Sequence, residues 1–238
     1  MLPLISSRVL SATYKPLLAV LLLTVAMPNF AATVDPYEKV NRKIFAFNEV
    51  LDRWIVKPSA KAYQLVTPSI VDRGVTNFFD NVGEVANAVN GGLQGDLHQI
   101  GNSIGRLIIN STIGIGGFFD VASHWGVESR NEDFGQTLAV WGVGDGPYIV
   151  MPLLGGRYLR DAVATFPDAY ISPLDHIDDA RTSNGLWALK LLDKRADLLD
   201  AERLVSGDRY TFIREIYIQQ REVSIANGLV EDDFDDDF

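Results

Sequence analysis

The residues most suggestive of chemistry are Gly101-Asn102-Ser103-Ile104-Gly105, which match the G-x-S-x-G pattern of a nucleophile elbow. That motif needs a strand before it and a sharp turn at the serine. Here it lies inside the helical pattern Leu97–Leu107, where its glycines suit close approach of another helix. The three histidines, His98, His124 and His176, have no histidine partner at i+4, and none sits in H-E-x-x-H, so no metal is expected. Asp175, Asp178 and Asp179 surround His176 at a spacing that fits no calcium loop. Gly142-Val143-Gly144-Asp145-Gly146 resembles a phosphate loop only loosely, lacking the Lys-Ser/Thr pair and a preceding strand. Asn110-Ser111-Thr112 fits a glycosylation sequon by chance. No catalytic constellation and no cofactor are expected.

A different set of residues stands out. Asn41, Asn48, Asn81, Asn90, Gln94, Arg106, Asn110 and Gln136 sit on otherwise apolar segments. Buried amides and a buried arginine are costly unless paired or wet. Two readings stay open: caps and loop hydrogen bonds, or a polar lining for a passage through an apolar shell.

The segments that must position these residues read as helices. Asp35-Pro36-Tyr37-Glu38 is a helix start, with Asp35 as cap, Pro36 at the first position and Glu38 completing a capping box. Apolar residues follow at Tyr37, Val40, Ile44, Phe47, Leu51 and Trp54, in steps of three and four, until Lys57-Pro58 ends the run. A second stretch carries Val71, Val75, Phe78, Val82, Val85 and Val89. A third carries Leu93, Leu97, Ile100, Ile104 and Leu107. Gly91-Gly92 breaks between them, and Gly114-Ile115-Gly116-Gly117 ends the third. Residues 183–204 predict a further helix, and a last one starts near Asp208 and stops at Asn227-Gly228. Between these, Phe134–Trp141 and Tyr148–Leu154 read as two apolar arms, short helices or a strand pair, around a turn at Gly142, Gly144 and Gly146. Serial alternating segments of about ten residues are missing, which argues against a transmembrane barrel.

The chain has 238 residues, 47% of them apolar, a net charge of −10 and no cysteine. Global disorder is excluded by that apolar content. Nucleic-acid binding is disfavoured, since an acidic chain repels phosphates without a basic patch. Disulfides, thiol catalysis and cysteine-linked lipid anchors are excluded. Residues 1–32 read as an export signal, with basic Arg8 and Lys15 and an apolar run, Leu17–Met27, that rises about 16 Å as a helix against a hydrocarbon core of about 30 Å. Ala31-Ala32 offers small residues for cleavage. Glu231–Phe238 holds six acids in eight residues and reads as a solvated tail. Without the two leader bases and six tail acids, the body (33–230) keeps a charge of −6.

Several motifs occur in a fixed order. They are Asp35-Pro36-Tyr37-Glu38-Lys39-Val40-Asn41-Arg42 with Phe45 and Phe47-Asn48, then Asn77-Phe78, Asn81, Asn90 and Leu93-Gln94-Gly95-Asp96. Arg106 and Asn110 follow, then Gly114-Ile115-Gly116-Gly117 with Asp120, Phe134-Gly135-Gln136-Thr137-Leu138, and Trp141 through Tyr148. Pro152, Arg160-Asp161, Arg195 through Asp200, Arg214-Glu215 and Ala226-Asn227-Gly228 complete the series. Over roughly 35–228 the chain resembles the MlaA (VacJ) outer-membrane lipid-asymmetry family. The resemblance implies an all-α fold, a ring-like bundle of amphipathic helices around a central channel, with a short Gly-rich hairpin. It implies a place in the periplasmic leaflet of the outer membrane, beside a trimeric porin. It implies removal of mislocalised phospholipid from the outer leaflet and transfer to a soluble periplasmic carrier. Many members carry a signal-peptide cysteine and this chain has none, so retention would rest on apolar faces or a porin. In this frame Asn41, Asn48, Asn90, Gln94, Arg106, Asn110, Gln136 and Arg160 are candidates to line the channel, with Arg106 and Arg160 attracting phosphate. The Gly142, Gly144 and Gly146 turn is a candidate gate. The rival readings are a lipid hydrolase using Ser103 and a structural porin-associated subunit.

Overall fold

The computed structural model describes residues 35–226; the export signal of 1–32, the Asn227-Gly228 stop and the acidic tail lie outside the described residues. The fold is helical, with one two-stranded sheet. In chain order the elements are α1 (Glu38–Leu51), a π-turn (Asp52–Val56), α2 (Lys57–Val66), α3 (Ser69–Gln94), α4 (Leu97–Thr112), α5 (Val121–His124) and α6 (Phe134–Val140). Strands β1 (Tyr148–Met151) and β2 (Gly155–Tyr158) follow, then α7 (Leu159–Ile171), a 3-10 turn (Pro173–His176), α8 (Ala180–Ala201), a second 3-10 turn (Glu202–Leu204) and α9 (Arg209–Ile225). Among the described residues no helix is long and apolar enough to cross a membrane.

The helix starts and stops depart from local sequence logic at three places. Asp35 does not cap α1. Its carboxylate accepts from Asn41 Nδ2 at 2.8 Å, from Tyr210 Oη and from Arg214 Nη1 at 3.3 Å. These distant donors outcompete a local cap, and Tyr37 occupies the cap position without a side-chain bond. Lys57-Pro58 does not end the helical run. The chain widens through the π-turn, Lys57 N bonds Asp52 O, and α2 carries Pro58 in its first turn, so the helical path continues across the proline. Gly91-Gly92 does not break α3. The helix runs on to Gln94 and ends at Gly95, whose φ of +79° is left-handed. Gly91 serves packing instead, since a Cβ there would lie 2.8 Å from Gln99 Cγ on α4.

The strand pair also lies one segment later than its two arms suggest. Phe134–Val140 is helical, and β1 pairs antiparallel with β2, Tyr148 opposite Tyr158 and Met151 opposite Gly155. The Gly142–Gly146 segment connects α6 to β1. Two amides of α1 hold the outer edge of β1. Asn41 donates to Tyr148 O at 3.0 Å and accepts from Val150 N at 2.9 Å. Asn48, two turns on, donates to Met151 O at 3.0 Å and accepts from Leu153 N at 2.9 Å. Each amide does for β1 what a neighbouring strand would do. Around this edge lies the aromatic core: Tyr148, Val150, Tyr158 and Tyr210 are buried, with Phe45 edge-on to Tyr210 and Tyr217 against Tyr158.

Candidate functional site

The α3–α4 hairpin has its amphipathicity turned inside out. On α4, Gln99, Ser103, Arg106 and Asn110 fall on one face at steps of four, three and four, and each is at most 3% exposed. The opposite face carries Leu97, Ile104 and Ile108, exposed at 80%, 46% and 58%. On α3 the buried positions include Asn81, Glu84, Asn87 and Asn90, every third residue, while Ile70, Val71, Val89 and Leu93 are exposed. Asp96 caps α4 by accepting from Gln99 N at 2.9 Å, which satisfies a free N–H of its first turn.

The buried stripe is one connected network. Arg106 Nε donates to Glu84 Oε1 at 2.6 Å. Its Nη1 reaches Ser123 Oγ at 2.9 Å and Val127 O at 2.8 Å, and its Nη2 reaches Asp120 Oδ2 at 3.1 Å. Asn110 donates to Asp120 at 3.0 Å and accepts from Ala122 N at 2.9 Å. Burial alone would raise the Asp120 carboxyl, but Ser123, Asn110 and Arg106 hold it at about 2. At the other end Asn87 donates to Glu84 at 3.0 Å and accepts from Glu132 N at 2.9 Å. Gln94 donates to Glu132 at 2.8 Å, and Thr137 donates to Asn90 at 2.9 Å. Arginine charge is thus met by two carboxylates, and Asn87, Asn90, Gln94 and Asn110 each have a named partner, while Asn81 donates to Ser111 at 2.9 Å and leaves its buried Oδ1 unpaired.

A second buried cluster locks the segment after it. Arg160 donates to Asp145 at 2.5 Å and Asp161 at 3.0 Å, and Arg221 forms two bonds to Asp133, at 2.6 and 2.8 Å, and one to Asp161 at 2.7 Å. Gly135 sits under this cluster, where a Cβ would lie 2.3 Å from Asp161 Oδ1. Gln136 donates to Asn131 O at 3.0 Å. Arg160 also holds the Gly142–Gly146 turn through Asp145 and, at 3.4 Å, Val143 O, while Gly142 and Gly144 have open space around them.

The eight candidate lining residues are therefore brought into three polar groups. Arg106, Asn110, Asn90 and Gln94 share the α3–α4 network, Gln136 and Arg160 lie in or beside the second cluster, and Asn41 and Asn48 hold β1. Sequence reasoning passed over Glu84, Asn87, Glu132 and Arg221. Glu84 and Asn87 continue the three-residue polar step begun at Asn81, and that periodicity was available; Arg221 had no local signal.

The serine and histidine motifs do not assemble. Ser103 lies mid-helix and accepts from Gln99 Nε2 at 3.1 Å, with no strand before it. Gly101 and Gly105 have nothing within 4 Å of an added Cβ, so they face away from the neighbouring helices and do not serve close approach. His98 is near Asn102, His124 bonds Asp120 O and His176 bonds Tyr170 O. Asp179, of the acidic cluster, caps α8 through Thr182 N at 2.8 Å. Among the described residues no group of side chains could hold a metal ion.

Known proteins share this architecture. A protein of Rickettsia typhi is 40% identical over 195 residues, spanning 80% of this chain and 78% of that one. The intermembrane phospholipid transport system lipoprotein MlaA of Escherichia coli K12 is 38% identical over 200 residues, spanning 82% of this chain and 79% of that one. A solved structure, described as the structural basis for maintenance of bacterial outer membrane lipid asymmetry, superposes with a TM-score of 0.71 at 34% identity, over 81% of this chain and 100% of that one. The family model for the MlaA lipoprotein matches residues 33–224, and this chain belongs to that family.

Proposed function

We propose that this chain is a phospholipid conduit of the outer membrane, embedded from the periplasmic side, which takes phospholipid mislocalised to the outer leaflet and passes it to a soluble periplasmic carrier. The observation that carries this reading is the inverted hairpin: Leu97, Ile104 and Ile108 outside, Gln99, Ser103, Arg106 and Asn110 inside. Such a face is unfavourable in water and favourable against lipid tails. A fully buried Ile, Leu or Phe contributes ~1.5–3 kcal/mol, so half a dozen exposed apolar residues give on the order of 10 kcal/mol of gross retention. The family's intermembrane phospholipid transport name and its lipid-asymmetry structure support the same direction. In this reading retention rests on these faces or on a trimeric porin beside them.

In this reading a central passage is enclosed by the helices. Asn41, Asn48, Asn90, Gln94, Arg106, Asn110, Gln136 and Arg160 form the hydrogen-bonded polar frame that holds the helices around it. The Gly142, Gly144 and Gly146 turn stands at its mouth. The test is reconstitution of the full chain in vesicles with headgroup-labelled phospholipid and the carrier. Labelled phospholipid is expected to reach the carrier intact. No movement of label would overturn the conduit in favour of a purely structural subunit, and label recovered as lysophospholipid would overturn it in favour of hydrolysis.

A further inference from the structure

A cavity of about 470 Å³ lies away from both polar networks, between α2, the end of α8 and the start of α9. That volume is within the ~300–1,000 Å³ range of small-ligand pockets. Its lining includes Lys57, Lys61, Arg203 and Arg209 against Asp200 and Glu202. A chain of net charge −10 thus gathers four cations around one concavity. Lys57, Lys61 and Gln64 stand at i, i+4 and i+7, one face of α2.

Glu202 accepts from Lys57 at 2.9 Å, Arg209 at 2.8 Å and Arg195 at 3.1 Å, and Arg195 and Arg209 are further paired with Asp52 at 2.7 Å and Glu49 at 3.0 Å, so these three cations are already met by carboxylates. Burial alone would raise the Glu202 carboxyl, but its partners hold it at about 2, so it stays ionised and fixes the cations in place. Lys61 forms no ion pair among the described residues. Arg203 meets only Asp200, at 3.3 Å, with both side chains more than 80% exposed, a contact of little strength. Two cations are therefore left to an incoming anion.

Exposed aliphatic residues close by in the chain say which surface supplies it. Leu65, Val66, Leu198 and Leu204 are neighbours in sequence of the lining residues Gln64, Leu199 and Arg203, and are exposed at 87%, 77%, 57% and 75%. Exposed cations beside exposed aliphatic side chains match the boundary of an anionic bilayer, where the aliphatic groups enter the acyl region and lysine and arginine reach phosphate. We propose that this cavity is a docking site for the phosphate of an anionic phospholipid headgroup at the membrane surface, separate from the transport passage. It rests on the reading that the chain works at a membrane.

The test is flotation of the full chain with vesicles of phosphatidylcholine alone or with phosphatidylglycerol added, comparing the wild type with the double variant Lys61→Glu, Arg203→Glu. Neither substitution removes a buried ion pair, and circular dichroism checks the fold. The wild type should bind the phosphatidylglycerol vesicles about tenfold or more tightly than the neutral ones. The variant should lose that preference and keep its neutral-vesicle binding. An unchanged preference in the variant, or no preference in the wild type, would overturn the site. Calorimetric binding of millimolar inorganic phosphate to the wild type, as tight as its vesicle binding, would reassign the cavity to a soluble anion. Loss of binding to neutral vesicles by the wild type would count against the membrane reading itself.

Discussion

The β1–β2 region and the α3–α4 hairpin are stabilised by opposite means. Around β1 the arrangement is that of a water-soluble protein: Tyr148, Val150, Tyr158 and Tyr210 are inside, and burial pushes the Tyr148 and Tyr158 phenols up to about 12. In the hairpin the inside is Glu84, Arg106, Asn87 and Asn110, and the aliphatic residues face out. The first region follows from the hydrophobic effect in water alone. The second does not, because its polar interior must be held by specific partners and its aliphatic side chains are left on the outside. The contrast teaches that paired polar groups, not apolar burial, hold the hairpin together, which leaves its aliphatic face free for the lipid contact proposed above.

The largest break in that comparison should come from Arg106→Met. Glu84 would keep its burial and lose its closest cation, and removing one partner of a buried pair costs ~3–5 kcal/mol. Urea unfolding followed by tryptophan fluorescence in mild detergent measures it. A loss under about 1 kcal/mol would mean the polar network does not hold the hairpin.

A matched pair of substitutions sharpens it further. Val150→Asn places an amide in the aromatic core and should cost about 3 kcal/mol of folding stability. Ile108→Asn, the same chemical change on the outward face of α4, should alter stability in water by less than about 0.5 kcal/mol. It should instead weaken vesicle partitioning about tenfold. Equal destabilisation by the two would erase the difference between the regions.

How much of this was legible in the sequence follows the same division. The helices could be read because apolar residues recur at three and four whether the solvent outside is water or lipid. Asn90, Arg106 and Asn110 stood out for being polar where the pattern was apolar, and the structure brings them into one network. Which way a helix faces was not legible, since Ile104 and Ser103 exchange inside and outside with no change in periodicity. The misread boundaries share one cause. Asp35, Pro58 and Gly91 each have a strong local meaning, and each is overridden by something distant in sequence or outside the local motif: Tyr210 and Arg214 on Asp35, a π-turn before Pro58, and Gln99 packed on Gly91. The cationic cavity was invisible because Lys57 and Arg203 are far apart in the chain.

A pH-dependent effect tests the seam between the hairpin and the rest. Asp168, on α7, accepts from Phe134 N at 2.8 Å. Burial pushes its carboxyl up to about 6; the Phe134 N–H pulls it back, the nearby Asp133 charge raises it further, and Arg221 and Asn90 lower it. Its ordinary value of 3.8 applies in the unfolded chain, so ionisation is harder in the folded state. Wild-type stability from this group should therefore fall as pH rises from about 4 to about 6 and stay level above that. Asp168→Asn keeps an acceptor for Phe134 and cannot ionise. Its stability minus that of the wild type should be small at pH 4 and about 3 kcal/mol in favour of the variant at pH 8. Asp120 and Glu202, held at about 2, act with the opposite sign and titrate below this window. They are also common to both proteins, so the difference curve isolates Asp168. A difference that is flat from pH 4 to 8 would show that the seam is hydrated and that the carboxylate meets water there.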